Sequence, residues 1–178
     1  MGERGASRGK ASGLGLASGI VAGLVAITPA AGFAGPVGSI ILGLVVSPIC
    51  VFFCSVVKNA LKYDDSLDAF GIHAIGGIVG ALATGILVSA SLGGAGIVDY
   101  ATCGLDKDFS TCDALTSYTM MGQFFTQLKA VSVSFVWSAV ASSIVFFIIK
   151  FTVGLKVSED TEEEGLDIAE HGERAYHA

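Results

Sequence analysis

Charge is what this sequence has least of. Only 15% of its 178 residues are Asp, Glu, Lys or Arg, against about 25% in ordinary soluble domains. With 52% hydrophobic residues and a mean hydropathy of +0.71, the chain lacks the polar surface a water-soluble globule needs, which points to a membrane protein. Proline is scarce too, at three residues, and the 24 glycines show no Gly-X-Y period, which excludes a collagen-like helix. Glycine at this level suits transmembrane helices, where it lets backbones approach closely. There is no Ser/His/Asp set, no HExxH and no phosphate-binding loop, and no paired acid and base lies inside the apolar segments. An enzyme is the least supported class, with no catalytic residue, cofactor or metal site expected. No cleavage site follows the basic Met1–Lys10 segment, so it does not read as a secretory signal.

The charges that exist are unevenly placed. The formal net charge is −6, and from Lys156 onward eight Asp/Glu face two Lys/Arg, so the rest of the chain is balanced. That acidity marks a solvated tail and argues against a nucleic-acid surface. Lys10 and Lys58 bracket 47 residues free of Asp, Glu, Lys and Arg. One helix needs about 20 residues to cross a bilayer, so this stretch holds two, broken at Gly32-Phe-Ala-Gly-Pro-Val-Gly38. The apolar runs lack the alternation of barrel strands. The expected fold is therefore all-α: a polytopic helical membrane protein with spans at roughly 14–32, 38–57, 68–91 and 130–153. A basic segment, 1–13, precedes them, an outer loop covers 92–129, and an acidic tail covers 154–178.

Basic residues orient this arrangement. With the N-terminus inside, eight Lys/Arg fall on the inner side: Arg4, Arg8, Lys10, Lys58, Lys62, Lys150, Lys156 and Arg174. Lys107 and Lys129 fall outside. The bias places both termini in the cytoplasm of a multi-pass cell-membrane protein. Cys103 and Cys112 then lie in the outer loop, where a disulfide is open to them, as are two free thiols. Cys50 and Cys54, in the second span, read as small packing residues. So do Gly15, Gly19 and Gly23 on one helix face and Gly76 and Gly80 on another, the alternative being that some keep a lumen open. Trp137 reads as a packing residue, and the serines of the fourth span as hydroxyls bonding back to carbonyls.

His73 is the sole ionisable residue among the thirty from Ala69 to Val98. An imidazole in hydrocarbon is costly, so the default reading is a functional site on a polar pathway, and a structural ring bonded to a carbonyl is the alternative. One neutral imidazole offers one donor and one acceptor. With its ordinary pKa of about 6.5, His suits proton exchange with a hydrated cation that must shed a proton to enter an apolar lumen. Asp68 reads as a helix N-cap or first-turn acid. Thr28-Pro29 reads either as freeing carbonyls at a pore mouth or as packing.

Four segments resemble the ammonium transporter family (Amt/Mep/Rh): Ile27-Thr-Pro-Ala-Ala-Gly-Phe33, Asp64-Asp-Ser-Leu-Asp-Ala-Phe-Gly-Ile-His73, Val153-Gly-Leu-Lys-Val157, and Glu164-Gly-Leu-Asp167 with Glu170-His-Gly-Glu-Arg-Ala-Tyr176. The resemblance implies eleven-helix subunits that form trimers, with one narrow apolar pore in each. This chain corresponds to the last four helices and the cytoplasmic tail. By the same resemblance, His73 matches the second member of a twin-histidine pair, Asp68 the acid that opens its helix, and Thr28 a residue near the outer pore mouth. The implied permeant is ammonium/ammonia. The implied associations are a homotrimer or full-length subunits, membrane lipid, and a PII-type regulator at the tail. The family usually has Gly after the histidine, where this chain has Ala74. The first pore histidine and the outer recruitment site fall outside the chain, so the expected function is ammonium transport by a part inactive alone, or else an assembly or regulatory module. At ~1.5 Å per residue, a helix opening at Asp68 puts His73 only about 8 Å inside it, shallow for a pore centre. A water-filled inner vestibule, or a helix that starts below the membrane surface, reconciles the two.

Overall fold

The computed structural model describes residues 13–97 and 118–173, and every regular element among them is helical. Helix α1 (Gly13–Ile27) continues through a tight 3-10 turn, Thr28–Ala30, with Pro29 in its first turn. The chain reverses over 31–35, where Gly32 takes φ +81°, a conformation costly to residues bearing a Cβ. Pro36 then opens α2 (Pro36–Phe52), placed where its missing N–H costs nothing. This helix runs on through a π-helical turn, Phe53–Val57, into α3 (Lys58–Leu61), which Lys62 ends in the left-handed region. A second π-helical turn, Phe70–Ala74, leads into α4 (Ile75–Leu87).

The core of this part is a set of small side chains stacked at helical spacing. Ala22, Ala26 and Ala30 from α1 and its turn meet Leu42, Val46 and Cys50 of α2, with Ile72 beside them. Opposite α1, Gly76, Gly80, Thr84 and Gly85 are buried on α4. A Cβ on Gly80 would sit 2.8 Å from the Ala26 carbonyl carbon and 2.9 Å from its Cα, so the two backbones touch there. The face of α1 that carries Gly15, Gly19 and Gly23 does not make this contact. It lines an open groove of about 430 Å³ with Ile40, Gly43, Leu44 and Ser47 of α2. The alanine stripe makes the close contact in the core, and the glycine face meets α2 more loosely, the Ser47 hydroxyl donating to the Gly19 carbonyl at 3.4 Å.

Helix α5 (Met120–Thr152) begins ten residues before the expected 130. The physical reason is a cap hidden by the polar composition of 119–129: the Thr119 hydroxyl accepts the Gly122 N–H at 3.1 Å, and its carbonyl accepts the Gln123 N–H at 2.9 Å. Lys129, expected in the outer loop, therefore lies within the helix. At its start the Tyr118 hydroxyl donates to the Gly85 carbonyl at 3.2 Å. Among the described residues, three helical paths, Pro36–Leu61, Phe70–Leu87 and Met120–Thr152, are long and apolar enough to cross a membrane, and the apolar helix Gly15–Ala30 is shorter.

The chain divides into two compact units, Met1–Ser132 and Val133–Ala178. In the second, the rest of α5 exposes its apolar side chains, including Trp137 at 73%. The Ser143 hydroxyl bonds back to the Ala139 carbonyl at 2.7 Å, as Ser132 in the first unit does to Leu128 at 2.8 Å. After α5, the Ser158 hydroxyl caps α6 (Glu159–Glu164) by accepting the Thr161 N–H at 3.3 Å, and α7 (Leu166–Ala169) comes next. Three acids in the first turn of α6 complement its positive end.

Candidate functional site

The segment between α3 and α4 is built around one carboxylate. Asp65 accepts the Ala69 N–H at 2.8 Å on Oδ1 and the Phe70 N–H at 3.1 Å on Oδ2. These are amides that a starting helix leaves without intrahelical partners. Asp65 is therefore the cap, and Asp68, expected in that role, is not. The Asp68 backbone is left-handed, φ +55°, its carbonyl accepts the Ile72 N–H at 2.9 Å, and its carboxylate pairs with Lys58 at 2.8 Å. Lys58 Nζ also donates to the Asp65 carbonyl. One ammonium thus ties the preceding helix to two points of the loop, the Asp65 backbone and the Asp68 carboxylate.

Tyr63 adds a second tie. Its hydroxyl donates to the Phe53 carbonyl, a long bond at 3.5 Å, and its ring meets Phe70 edge to face at 5.7 Å. It thus touches the first residue of each π-helical turn. Partial burial, reinforced by the Asp65 carboxylate, pushes the Tyr63 phenol above its ordinary value. The neutral, hydrogen-bonding phenol is thereby favoured in the folded chain, and any stability it contributes is lost as pH rises above about 10. A third contact joins the π-turns directly: Gly71 is buried against Cys54, and a Cβ there would overlap the thiol and lie 3.1 Å from the Cys54 nitrogen. The Cys50 thiol lies 3.9 Å from the Ile72 carbonyl.

His73 sits inside the second π-turn and is exposed, between buried Ile72 and half-buried Ala74. Its helix opens at Phe70, yet the neighbouring path reaches Leu61, seven residues beyond the Cys54 that meets Gly71. At ~1.5 Å per residue, the His73 helix starts about 10 Å short of its neighbour's end. The imidazole is shallow in its own helix without being shallow in the bundle. Thr28 lies at a different level. It comes two residues after Ala26, which touches Gly80, whereas His73 precedes Gly80 by seven residues, about 10 Å along the axis. The Thr28 hydroxyl bonds back to the Leu24 carbonyl at 2.7 Å. The structure thus gathers Lys58, Tyr63, Asp65 and Asp68 near the His73 turn and leaves Thr28 apart. Cys103 and Cys112 lie outside the described residues. Among the described residues no three His, Cys, Asp or Glu side chains group to hold a metal.

A family model for the Ammonium Transporter Family matches residues 4–176. The chain belongs to that family. It is 42% identical over 168 residues to an ammonium transporter of Aquifex aeolicus, covering 94% of this chain and 35% of that protein. It is 37% identical over 163 residues to one from Bacillus subtilis, covering 92% and 36%. The crystal structure of Saccharomyces cerevisiae Mep2 superposes with a TM-score of 0.63 at 30% identity, over 85% of this chain and 31% of that one. The all-α fold is thus that of an ammonium transporter, and the chain spans about a third of the length of the curated relatives it matches.

Proposed function

We propose that this chain supplies the His73-bearing part of a pore for ammonium/ammonia. The observation that carries the reading is the exposed imidazole on a π-turn whose helix is closed, on its other side, against α1 and α2. A hydrated ammonium ion is penalised in an apolar lumen, and neutral ammonia much less. A ring that accepts and returns one proton serves that exchange. A relay needs a second such ring, and the apolar segments encode none, so the chain alone is transport-incompetent. Asp68 acts through its pairing with Lys58 on the arrangement of the pore helices, and Thr28 belongs to the far mouth. The protein sits in the cell membrane as a multi-pass chain with both ends cytoplasmic, as its basic residues indicate.

The test is growth of a transporter-null host on limiting ammonium. Residues 1–178 alone are expected to give none, and growth would overturn the reading. A second reading, assembly with full-length subunits as a trimer, is favoured by the apolar surface left open on α5, where Val133, Phe135, Val136 and Trp137 are all exposed. Such patches mark interaction surfaces or lipid contact. Co-purification with a full-length relative supports it, and loss of that association on removing residues 154–178 assigns the tail a part in assembly; the tail is also where a PII-type regulator would bind.

A further inference from the structure

Helical phase alone puts His73 in the wrong place. At 100° per residue, a straight α-helix through 73–84 would set His73 within about 20° of the centre of the Gly76, Gly80 and Thr84 face. That face is buried against α1. The imidazole would then be driven into the helix contact, and Ile72 would lie toward its edge. The structure has the reverse order: Ile72 is 8% exposed and His73 is exposed. The difference is the π-turn, in which the Ile75 N–H reaches back to the Phe70 carbonyl five residues away. One extra residue in the turn rotates the residues before it by about 100° relative to those after it. Ile72 takes the packed position and His73 swings out of it.

A π-turn is a costly local choice and persists where its surroundings hold it. Four contacts hold this one. Asp65 fixes the amides of Ala69 and Phe70, Lys58 ties Asp65 and Asp68 to the preceding helix, Tyr63 bridges the first residues of the two π-turns, and Gly71 seats the Cys54 thiol. The geometry points to Lys58, Tyr63 and Asp65 as positioning residues: a clasp outside the lumen that keeps the His73 turn π-helical and so holds the imidazole off the helix contact. The inference rests on His73 as the pore residue only for its functional meaning, and the clasp itself is testable without transport.

The test uses the full 178-residue chain in lipid nanodiscs, with amide hydrogen exchange and the 15N–1H signals of the His73 ring as readouts. Asp65→Ala is expected to speed exchange of residues 69–72 at least tenfold, to leave 78–87 within twofold, and to shift the His73 ring signals. Lys58→Ala is expected to act in the same direction, and Lys58→Arg to restore the wild-type ring signals. Should Asp65→Ala lose its overall helicity, the decision passes to Asp65→Asn, which keeps the shape and one acceptor oxygen. A severalfold faster exchange of 69–72 with moved ring signals then supports the clasp. Unchanged ring signals in the folded Asp65 and Lys58 variants overturn it, even if exchange rises, because the clasp would then be structural support with no hold on His73. Failure of transport by an assembled pore, with these readouts intact, would count against the pore reading instead.

Discussion

Gly80→Ala offers the sharpest test of how the bundle is held. The added Cβ falls 2.8 Å from the Ala26 carbonyl carbon and 2.9 Å from its Cα. Carbon atoms rest at about 3.5–4.0 Å, so α1 and α4 must part by about 1 Å. The obstacle is backbone, which cannot rotate aside as a side chain can. Overpacking of this kind costs roughly 1–3 kcal/mol. Alanine in place of a helical glycine returns about 0.5–1 kcal/mol of that. The net expectation is a loss of about 1–2 kcal/mol. Gly77→Ala is the matched control: it lies on the same helix and its Cβ meets nothing within 4 Å. It should gain up to about 1 kcal/mol. Denaturing-detergent titration of the 178-residue chain, monitored by helicity, reads both. Thiol labelling at Cys50, 2% exposed in the core, reports opening of the same contact once the other cysteines are replaced. Gly80→Ala should be the less stable by about 2 kcal/mol and should label faster. Equal stability, or the opposite order, would refute the backbone contact between α1 and α4.

The ends of the helices give two further expected outcomes. Gly71→Ala drives a methyl into the Cys54 thiol. It should cost about 1–3 kcal/mol, and Cys54→Ala in the same chain should recover part of that, read as coupling in a double-mutant cycle by the same titration. Removing Lys58 and Asp68 singly and together should give a coupling of about 0.5–1 kcal/mol that shrinks in high salt, because the side chains of the pair are 26% and 31% exposed. Absence of any coupling would mean that the pair is incidental to the loop.

Much of this fold was legible because lipid permits few alternatives. Uncharged runs, the Gly32–Gly38 break and the scarcity of charge all bear on helices, and the alternation that would have argued for a barrel is absent. Where helices begin was harder to read. Hydropathy rises after Lys129, but α5 starts at Met120, because Thr119 supplies an acceptor that composition does not reveal. The same error appears at Asp68. Three acids precede the helix, at 64, 65 and 68, and sequence favours the one nearest the apolar run. The chain uses Asp65, since its carboxylate reaches back over one turn while Asp68 is drawn to Lys58. Lys58 itself read as a bare topological charge. Its reach across the loop depends on where α3 ends, and that is set by Lys62 adopting a left-handed backbone.

The glycines show the same limit from the other side. Gly15, Gly19 and Gly23 and the pair Gly76 and Gly80 look alike in sequence, yet the second set brings backbone against backbone, at Gly80 and Ala26, while the first lines an open groove beside α2. Spacing states that a face is smooth, not that anything lies against it. For His73 the consequence is larger. Its residue type alone singles it out in an uncharged run, but its phase misplaces it. The i, i+3, i+7 relation to Gly76 and Gly80 assigns it to the packed face, whereas the structure exposes it. The correction comes from a single inserted residue, and π-turns carry no sequence signature that periodicity can detect, since they break the period by which it reads. The groups proposed to hold that residue in place are polar and local: a carboxylate on free amides, an ammonium across a loop, a phenol between two turns. On the proposed clasp, whether the imidazole faces a pathway or a neighbouring helix is decided by the residues from Lys58 to Phe70, not by the apolar span that made it conspicuous.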